Sequence, residues 1–321
     1  MPVRTKYELK IGPATRESFG KALVELGREN KDVIALDADL SKSTMTAGFA
    51  KEFPDRFIEC GIAEANMVSI AGGLADAGKI PFAASFSCFV MNKGFEQLRV
   101  AIAYPNTNAK IVGTHSGISI GEDGPSQMSI EDVSLACSLP GFVVISPADD
   151  VSARALIKAA AAHIGPVFVR CGRLKVPVIY QEGRQFEIGK SIELQEGTDV
   201  TLFAHGLMVA EALKASDTLD GEGISARVVD MHTIKPLDRA AIVRAARETK
   251  AIVVAEEHLV DSGLGVRIAQ VVSEEVPCVM EYVGIENTYA ESGTPDAVLH
   301  KYGLTAEKVA EAARKAVRRK G

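Results

Sequence analysis

Four clusters of polar residues stand directly after apolar runs in the sequence, and their side chains could carry chemistry. They are Asp37-Ala38-Asp39 with Ser41 and Ser43, Glu59-Cys60-Gly61-Ile62-Ala63-Glu64, Thr114-His115-Ser116, and Arg170-Cys171-Gly172-Arg173. A glycine-rich stretch with neighbouring carboxylates, GISIGEDGPSQMSIED, lies between the last two clusters. Guanidinium groups bind anions through charge-assisted hydrogen bonds, and carboxylates and imidazoles transfer protons. These residue types indicate an enzyme site that can bind an anion.

Glu64 is the most informative single residue of these clusters. It stands at the head of an apolar helical stretch, NMVSIAGGLADAG, whose Gly72 and Gly73 allow close packing against a neighbouring element. A carboxyl group placed there is expected to be partly buried, which suits general acid–base catalysis. An acidic residue in the first turn of a helix also complements the helix dipole, and position alone leaves that alternative open.

The clusters need elements that bring them together, and the periodicity of the sequence predicts such elements. Short apolar runs alternate with helical spacing, which is typical of a parallel sheet with helices on both faces. Predicted strands cover residues 33–36, 80–84, 110–113, 142–145 and 167–170, and predicted helices include residues 65–77 and 152–162. In such sheets, ligands bind beyond the carboxyl ends of the strands, which is where the clusters stand.

A polar stretch, YQEGRQFEIGKSIELQEGTD at residues 180–199, interrupts this alternation and lacks a helical period. Beyond it the alternation resumes, with predicted strands at residues 200–204, 226–229, 251–255 and 279–283. The predicted fold class is α/β, with two doubly wound sheet domains, of which the first is mostly parallel and the second is smaller. We expect the first domain to cover residues 1–185 and the second residues 195–321.

Composition narrows the function classes. The 321 residues carry a formal net charge of −6, and no long basic run is interleaved with aromatic residues, so nucleic acid is not an expected partner. No uninterrupted apolar stretch of about 18 residues occurs, and the N-terminus MPVRTKYELKIGPATR lacks the apolar segment of a signal peptide. We therefore expect a cytoplasmic protein with no membrane partner.

The five cysteines form no C-x-x-C pair, which argues against a zinc site, and no metal ligand is predicted on this chain.

Longer strings give the sequence a specific resemblance. CGIAEANMVSIAGGLADAGKIPFAASFSCFV is similar to the pyrimidine-binding region of transketolases, 1-deoxyxylulose-phosphate synthases and the β subunits of 2-oxo-acid dehydrogenases. ATRESFG, DADLSKS, GTHSGISIGEDGP, SPAD, TIKPLD, VVAEEH and ESGTP favour the transketolase branch, and all of them stand in the order of that family. The resemblance runs from Arg16 to the C-terminal helix. It implies a thiamine-diphosphate pyrimidine-binding domain followed by a transketolase C-terminal domain.

The resemblance assigns a cofactor-binding role to four residues. A glutamate placed like Glu64 hydrogen-bonds N1′ of the aminopyrimidine ring of thiamine diphosphate, which makes Glu64 a catalytic residue as well. Phe86 and Phe89 match the aromatic residues that pack against this ring, with plain core packing as the alternative. Asp39 resembles an aspartate near the cofactor, with a helix N-cap as the alternative. Asn92 stands where transketolases often have another aromatic residue, so the pocket is expected to be somewhat altered.

The resemblance also implies a substrate site. Arg16, Ser43, His115 and Arg173 match positions that hold the sugar phosphate, and His115 is also assigned to catalysis. Asp123 matches an aspartate that recognises a substrate hydroxyl, although Asp-Gly-Pro is also an ordinary surface turn. Arg170 is a neighbour of this set.

Two departures from the family pattern stand out. Transketolases typically continue GEDGP with Thr/Ser-His-Gln, whereas this chain has Ser126-Gln127-Met128, and Gln127 can hydrogen-bond a substrate but cannot carry a charge. The GDG sequence of the family's diphosphate and Mg²⁺ site is absent from this chain. We therefore expect a partner subunit with that motif to hold the diphosphate and Mg²⁺.

The first hypothesis is thus the C-terminal subunit of a split transketolase, a transferase of carbohydrate metabolism and the pentose phosphate pathway. It would transfer a ketol group between sugar phosphates, inside a heterotetramer made of two heterodimers. Two alternatives stay open. The chain could belong to another thiamine-diphosphate enzyme, either a 2-oxo-acid dehydrogenase or a transketolase for a rarer sugar phosphate, or it could be a non-catalytic partner subunit.

Overall fold

The computed structural model describes residues 9–320, which form two large sheets covered by helices. The prediction that the N-terminus lacks a signal-peptide segment, like the start of the first predicted domain, falls partly on residues 1–8, outside the described residues. None of the helices between residues 9 and 320 combines the length and the apolar character needed to cross a bilayer.

The first part of the chain supplies most of the larger sheet. Its strands are β1 (Ile11–Ala14), β2 (Val33–Asp37), β3 (Phe57–Glu59), β4 (Ile80–Phe86), β5 (Lys110–Thr114), β6 (Val143–Ile145), β7 (Val167–Arg170) and β8 (Lys175–Pro177). Strands β2 to β7 lie in the order β6-β7-β5-β4-β2-β3, and all of their pairings are parallel. Strand β2 is buried along its whole length, because a parallel sheet with helices on both faces exposes neither side of its central strands. Strands β1 and β8 pair antiparallel apart from this sheet.

Helices cover both faces of this sheet. They are α1 (Thr15–Glu29), α2 (Ser41–Thr44), α3 (Ala47–Glu52), α4 (Glu64–Asp76), α5 (Ser87–Lys93), α6 (Phe95–Gln97), α7 (Asp132–Ser138) and α8 (Asp150–Ala162), with a π-helical turn at Leu98–Ala103. Phe19 of α1 and Leu156 of α8 belong to a core on one face, and Met67 of α4 and Met91 of α5 belong to a core on the other. Asp149 caps α8, because its carboxylate accepts a hydrogen bond from the amide of Ser152 at 2.8 Å.

The second part of the chain forms a smaller sheet of five strands. Its strands are β9 (Ile192–Gln195), β10 (Val200–Ala204), β11 (Ala226–Asp230), β13 (Ala251–Leu259) and β14 (Val279–Ile285). They lie in the order β14-β13-β10-β11-β9, and all pairings except that of β9 are parallel. Its helices are α9 (Met208–Asp220), α10 (Arg239–Thr249), α11 (Leu264–Glu275), α12 (Pro295–Lys301) and α13 (Ala306–Arg319). The predicted α/β class with two doubly wound sheets is therefore confirmed.

Two strands differ from the expectations. Strand β9 lies inside the stretch that the sequence predicts to be irregular. A short antiparallel edge strand requires only a brief alternation of apolar and polar residues, here at Ile192 and Leu194, and this alternation is too short to stand out in the sequence. Strand β12 (Thr233–Lys235) comes from the second part of the chain but pairs antiparallel with β6, at the edge of the first sheet. Backbone pairing thus attaches a segment from the second part of the chain to the first sheet, and the division at residues 185–195 stays a prediction.

Candidate active site

The carboxyl ends of the parallel strands align the polar clusters at one edge of the first sheet. Asp37 at the end of β2 stands in register with Glu59 of β3 and with Ala84 of β4. Phe86 at the end of β4 is in register with Thr114 of β5, and Gly113 is in register with Arg170 of β7. The clusters that the sequence separates by more than a hundred residues therefore meet at this edge.

Glu64 begins α4 and is only 3% exposed. Both of its carboxylate oxygens lie 3.3 Å from the ammonium of Lys93, the last residue of α5. The predicted burial of Glu64 is therefore observed. Glu64 also lies in the first turn of α4, where the helix dipole favours a negative charge. The helix-dipole explanation of its position therefore stays open beside the catalytic one.

An aromatic row extends from this carboxylate. The rings of Phe86 and Phe89 stack with their centroids 5.5 Å apart and an interplanar angle of 14°. The imidazole of His115 also stacks on Phe86, with 3.9 Å between the two ring centroids. Phe86 is buried, whereas Phe89 is partly exposed. A carboxylate beside an aromatic face supplies the hydrogen-bond acceptor and the stacking surface that a planar heteroaromatic ring requires, so the chemistry of these residues suits an aminopyrimidine.

His115 is held neutral by its surroundings. Burial, aided by the nearby charges of Arg16 and Arg173, lowers its pKa to about 3. Its Nδ1 lies 2.9 Å from the hydroxyl of Thr114, and its backbone has a φ of +57°, in the left-handed region. A neutral imidazole in this place can exchange hydrogen bonds with a ligand without repelling the two arginines.

The two arginines create a cationic corner next to His115. Arg16 donates from Nη1 to the backbone carbonyl of Ser43 at 2.6 Å, and its buried Nε has no hydrogen-bond partner. Burial lowers the pKa of Arg16, and the neighbouring Arg173 lowers it further against the opposing effect of Glu17. Arg173 donates to the carbonyl of Ile120 at 2.7 Å. A half-buried guanidinium with an unused donor is suited to an incoming anion such as a phosphate.

The remaining candidates, Asp123, Gln127 and Asp39, are at least partly exposed. Asp123 is exposed at the end of a 3₁₀ turn, Gly121–Asp123, and Gln127 is partly exposed a few residues on. Gln127 accepts, through its backbone carbonyl, a hydrogen bond from the thiol of Cys88 at 3.2 Å. Asp39 is exposed and its amide donates to the carboxylate of Glu59 at 2.8 Å. The N-cap alternative for Asp39 is wrong, because Leu40 occupies the N-cap position of α2.

Asn92 is exposed, and its amide nitrogen donates to the carboxylate of Glu131 at 2.8 Å. It therefore points to a partner on the surface of the chain rather than into the aromatic row. Within residues 9–320, no group of three His, Cys, Asp or Glu side chains is arranged to hold a metal ion.

The sequence missed a buried ionic cluster behind the site. The guanidinium of Arg170 donates from Nε to Asp132 at 2.9 Å and from Nη2 to the carbonyl of Glu257 at 2.9 Å, so it is not free to serve as a substrate ligand. Asp132 also accepts from the hydroxyl of Ser87, the first residue of α5, at 2.7 Å. Burial opposes the ionisation of Asp132, but the charges of Arg170 and His258 outweigh it and keep its pKa below the ordinary value.

The second part of the chain shapes the site through this cluster and one loop. The carboxylate of Glu257 accepts from the amide of Ser119 at 2.6 Å, which ties the glycine-rich loop to β13. Gly124 in that loop has a φ of +78°, and a Cβ there would lie 2.3 Å from the hydroxyl of Ser292. The sequence did contain a signal for this buried cluster, namely the charged residues inside the apolar run VVAEEH, because charges on a buried strand require partners.

Comparisons with known proteins match both parts of the chain to described families. Residues 12–178 match the family described as "Transketolase, pyrimidine binding domain", and residues 189–309 match "Transketolase, C-terminal domain". The chain is 43% identical to "Putative transketolase C-terminal section" of Methanocaldococcus jannaschii over 92% of this chain and 94% of that protein. It is 40% identical to "6-deoxy-6-sulfo-D-fructose transketolase subunit SqwH" of a Clostridium species, over 95% of each chain.

Full-length relatives and solved structures complete the comparison. The human protein "Transketolase" is 38% identical over 98% of this chain, which spans only 51% of the length of that protein. The structure "Split gene transketolase, inactive beta4 tetramer" has a TM-score of 0.91 and 49% identity, covering 97% of this chain and all of its own. The structure of a transketolase from Leishmania mexicana, with 23% identity and a TM-score of 0.81, shares the fold.

Proposed function

Because the chain belongs to the transketolase family, we propose that it is the C-terminal subunit of a split transketolase and is active only with an N-terminal subunit. One observation carries the proposal most strongly. A buried carboxylate, an aromatic row and a cationic corner lie side by side at the carboxyl edge of one sheet. Relatives of matching length, named as a transketolase section or subunit, support the split form.

In the proposed reaction, a ketol group moves between phosphorylated sugars. Thiamine diphosphate, when bound, supplies an electron sink for the carbanion chemistry. Glu64 would hydrogen-bond N1′ of the aminopyrimidine ring and hold or release a proton there. Phe86 and Phe89 would orient the ring by stacking, and Asp39 would lie at the edge of this pocket.

The substrate would bind between the cofactor and the cationic corner. Arg16, Arg173 and the hydroxyl of Ser43 would hold the phosphate, since guanidinium forks match its geometry. His115, neutral at physiological pH, would hydrogen-bond the reacting end of the sugar and assist proton transfer there. Asp123 and Gln127 would read substrate hydroxyl groups.

The diphosphate end of the cofactor and Mg²⁺ would be held mainly by the partner. The described residues of this chain offer no cluster for a metal, and its sequence contains no GDG motif. The active assembly would be a dimer of heterodimers with sites between subunits. The cytoplasmic location, the place in the pentose phosphate pathway and the domain division at residues 185–195 belong to the same proposal.

A transketolase for a rarer sugar is the second candidate, and Gln127 is the observation that favours it. The uncharged side chain of Gln127 replaces the histidine of the family pattern. Two relatives of matching length carry names with unusual substrates. One is the 6-deoxy-6-sulfo-D-fructose transketolase subunit, and the other is a subunit of an apulose-4-phosphate transketolase from Phocaeicola vulgatus. The cationic corner counts against a 2-oxo-acid dehydrogenase, whose substrate carries no phosphate.

Reconstitution tests the proposal. The chain should be mixed with a GDG-bearing N-terminal subunit in the presence of thiamine diphosphate and Mg²⁺, and turnover should be measured on ketose phosphates and on pyruvate. We expect turnover of a ketose phosphate by the mixture and none by either subunit alone. Sustained turnover by this chain without the partner would refute the split site. Turnover of pyruvate would favour the dehydrogenase, and cofactor binding without turnover of any substrate would favour a non-catalytic subunit.

A further inference from the structure

Lys93 occupies a place that the proposed function leaves unexplained. Its ammonium lies 3.3 Å from each carboxylate oxygen of Glu64 and 4.3 Å from the ring centroid of Phe89. It thus stands in the corner between the carboxylate and the aromatic face. That corner is the position in which the proposed function requires the aminopyrimidine ring.

The two members of the Glu64–Lys93 ion pair differ in exposure. The Glu64 side chain is 3% exposed, whereas that of Lys93 is 49% exposed. A carboxylate buried to this degree is costly unless a cation or hydrogen-bond donors compensate it. Among the described residues, the ammonium of Lys93 is the only side-chain group that hydrogen-bonds the Glu64 carboxylate. Lys93 therefore compensates Glu64 and also covers its oxygens.

The Lys93 side chain can leave this position at little cost. Half of its side chain already faces solvent, and its long flexible stem carries a strongly hydrated charge that is stable in water. Its second contact, the cation–π interaction with Phe89, contributes only modestly at a partly exposed site. The ammonium can move into solvent by side-chain rotation alone, once another donor satisfies Glu64.

We propose that Lys93 is a displaceable counter-ion, which fills the aminopyrimidine position in the free subunit and leaves it when the cofactor binds. The proposal rests on the proposed function and adds a competing occupant to it. The ring nitrogen N1′ and the Lys93 ammonium then compete for the same oxygens of Glu64. Because the cofactor binds only the fraction of molecules whose corner is open, Lys93 weakens the apparent affinity in proportion to its occupancy.

Calorimetric titration of thiamine diphosphate, with Mg²⁺ present, into the reconstituted complex tests this competition. Lys93→Met keeps an unbranched stem but removes the charge, and we expect it to tighten cofactor binding about 3- to 10-fold, as a closed fraction of about 70–90% predicts. Lys93→Arg keeps the charge and should bind the cofactor with an affinity close to that of the original complex. Lys51→Met is the matched control, because it removes the same charge from an exposed position of α3 and should leave the affinity unchanged.

A double-mutant cycle separates competition at Glu64 from any general effect of charge. In a Glu64→Gln background, the uncharged amide no longer needs a counter-ion, so Lys93→Met should change cofactor affinity much less. In the subunit alone, Lys93→Met should lower the melting temperature, because Glu64 is left buried without a partner, and Glu64→Gln should restore part of it.

The outcomes separate the inference from the function beneath it. Unchanged or weaker cofactor binding by the Lys93→Met complex overturns the displacement while leaving the proposed function standing. An equal effect of Lys93→Met in the presence and absence of the Glu64 carboxylate also overturns it. If the unaltered complex binds no thiamine diphosphate at all, the proposed function fails, and the displacement fails with it.

Discussion

Replacing Arg170 with Met should strongly destabilise the chain, because the guanidinium of Arg170 compensates buried partners behind the candidate site. The guanidinium is buried beside Asp132, which is fully buried as well, and the two are 2.9 Å apart. Its loss leaves the Asp132 carboxylate with the hydroxyl of Ser87 and the more distant His258 at 3.9 Å. It also removes a donor from the backbone carbonyl of Glu257. Water cannot compensate the unpaired carboxylate of Asp132, because that residue is fully buried.

The magnitude follows from this burial. Removing one partner of a buried ion pair typically costs about 3–5 kcal/mol, because the other charge stays buried. For a domain of about 150–250 residues that unfolds cooperatively, each kcal/mol lowers the melting temperature by about 2–4 °C, so the expected fall is roughly 6–20 °C. Because Ser87 begins α5, which carries Phe89 and Lys93, we also expect Arg170→Met to weaken cofactor binding in the reconstituted complex.

The assay is thermal and urea denaturation of the isolated chain. Adding Asp132→Leu to Arg170→Met should recover part of the lost stability, since it removes the unpaired charge rather than adding a contact. Arg28→Met, which breaks the exposed pair with Glu52, should change stability little. The reasoning is refuted if Arg170→Met is no more destabilising than Arg28→Met, or if the double variant is less stable than Arg170→Met alone.

Three further predictions concern the site itself. Glu64→Gln keeps the shape of the side chain but removes its ionisation, so turnover of the reconstituted enzyme should fall by about 100-fold or more, and near-original turnover would remove Glu64 from the mechanism. Arg173→Ala should raise KM for the sugar phosphate and lower kcat less, because phosphate binding is largely uniform, whereas an unchanged KM with a collapsed kcat would contradict the phosphate role. His115, with a pKa lowered to about 3, should show no protonation by NMR between pH 5 and 8. Because the unfolded chain binds this proton near pH 6.5, His115 should cost stability progressively as the pH falls from about 6.5 towards 3, and His115→Asn should reduce that pH dependence, which would persist unchanged if His115 were not the cause.

The sequence alone determined the layers of the fold and the sheet edge at which the candidate residues lie. A short continuous apolar run such as Val33-Ile34-Ala35-Leu36 is typical of a strand buried on both faces, so β2 was predictable from local composition. His115 and Arg173 were found as candidates because each follows a predicted strand and parallel strands end at a common edge, whereas Glu64 was found because it heads an apolar helical stretch.

Tertiary structure decided what local patterns do not encode. Arg170 ends β7 and Asp132 begins α7, and only the tertiary structure pairs their side chains, which engages the Arg170 guanidinium in a buried contact. Strand β12 lies in the first sheet because it pairs with β6. Since β6 comes from a distant part of the chain, local patterns do not reveal this pairing. Glu64 and Lys93 meet across two helices, 29 residues apart in sequence. Periodicity reports the burial of each segment separately, whereas the partner of a buried charge depends on which segments the fold brings together.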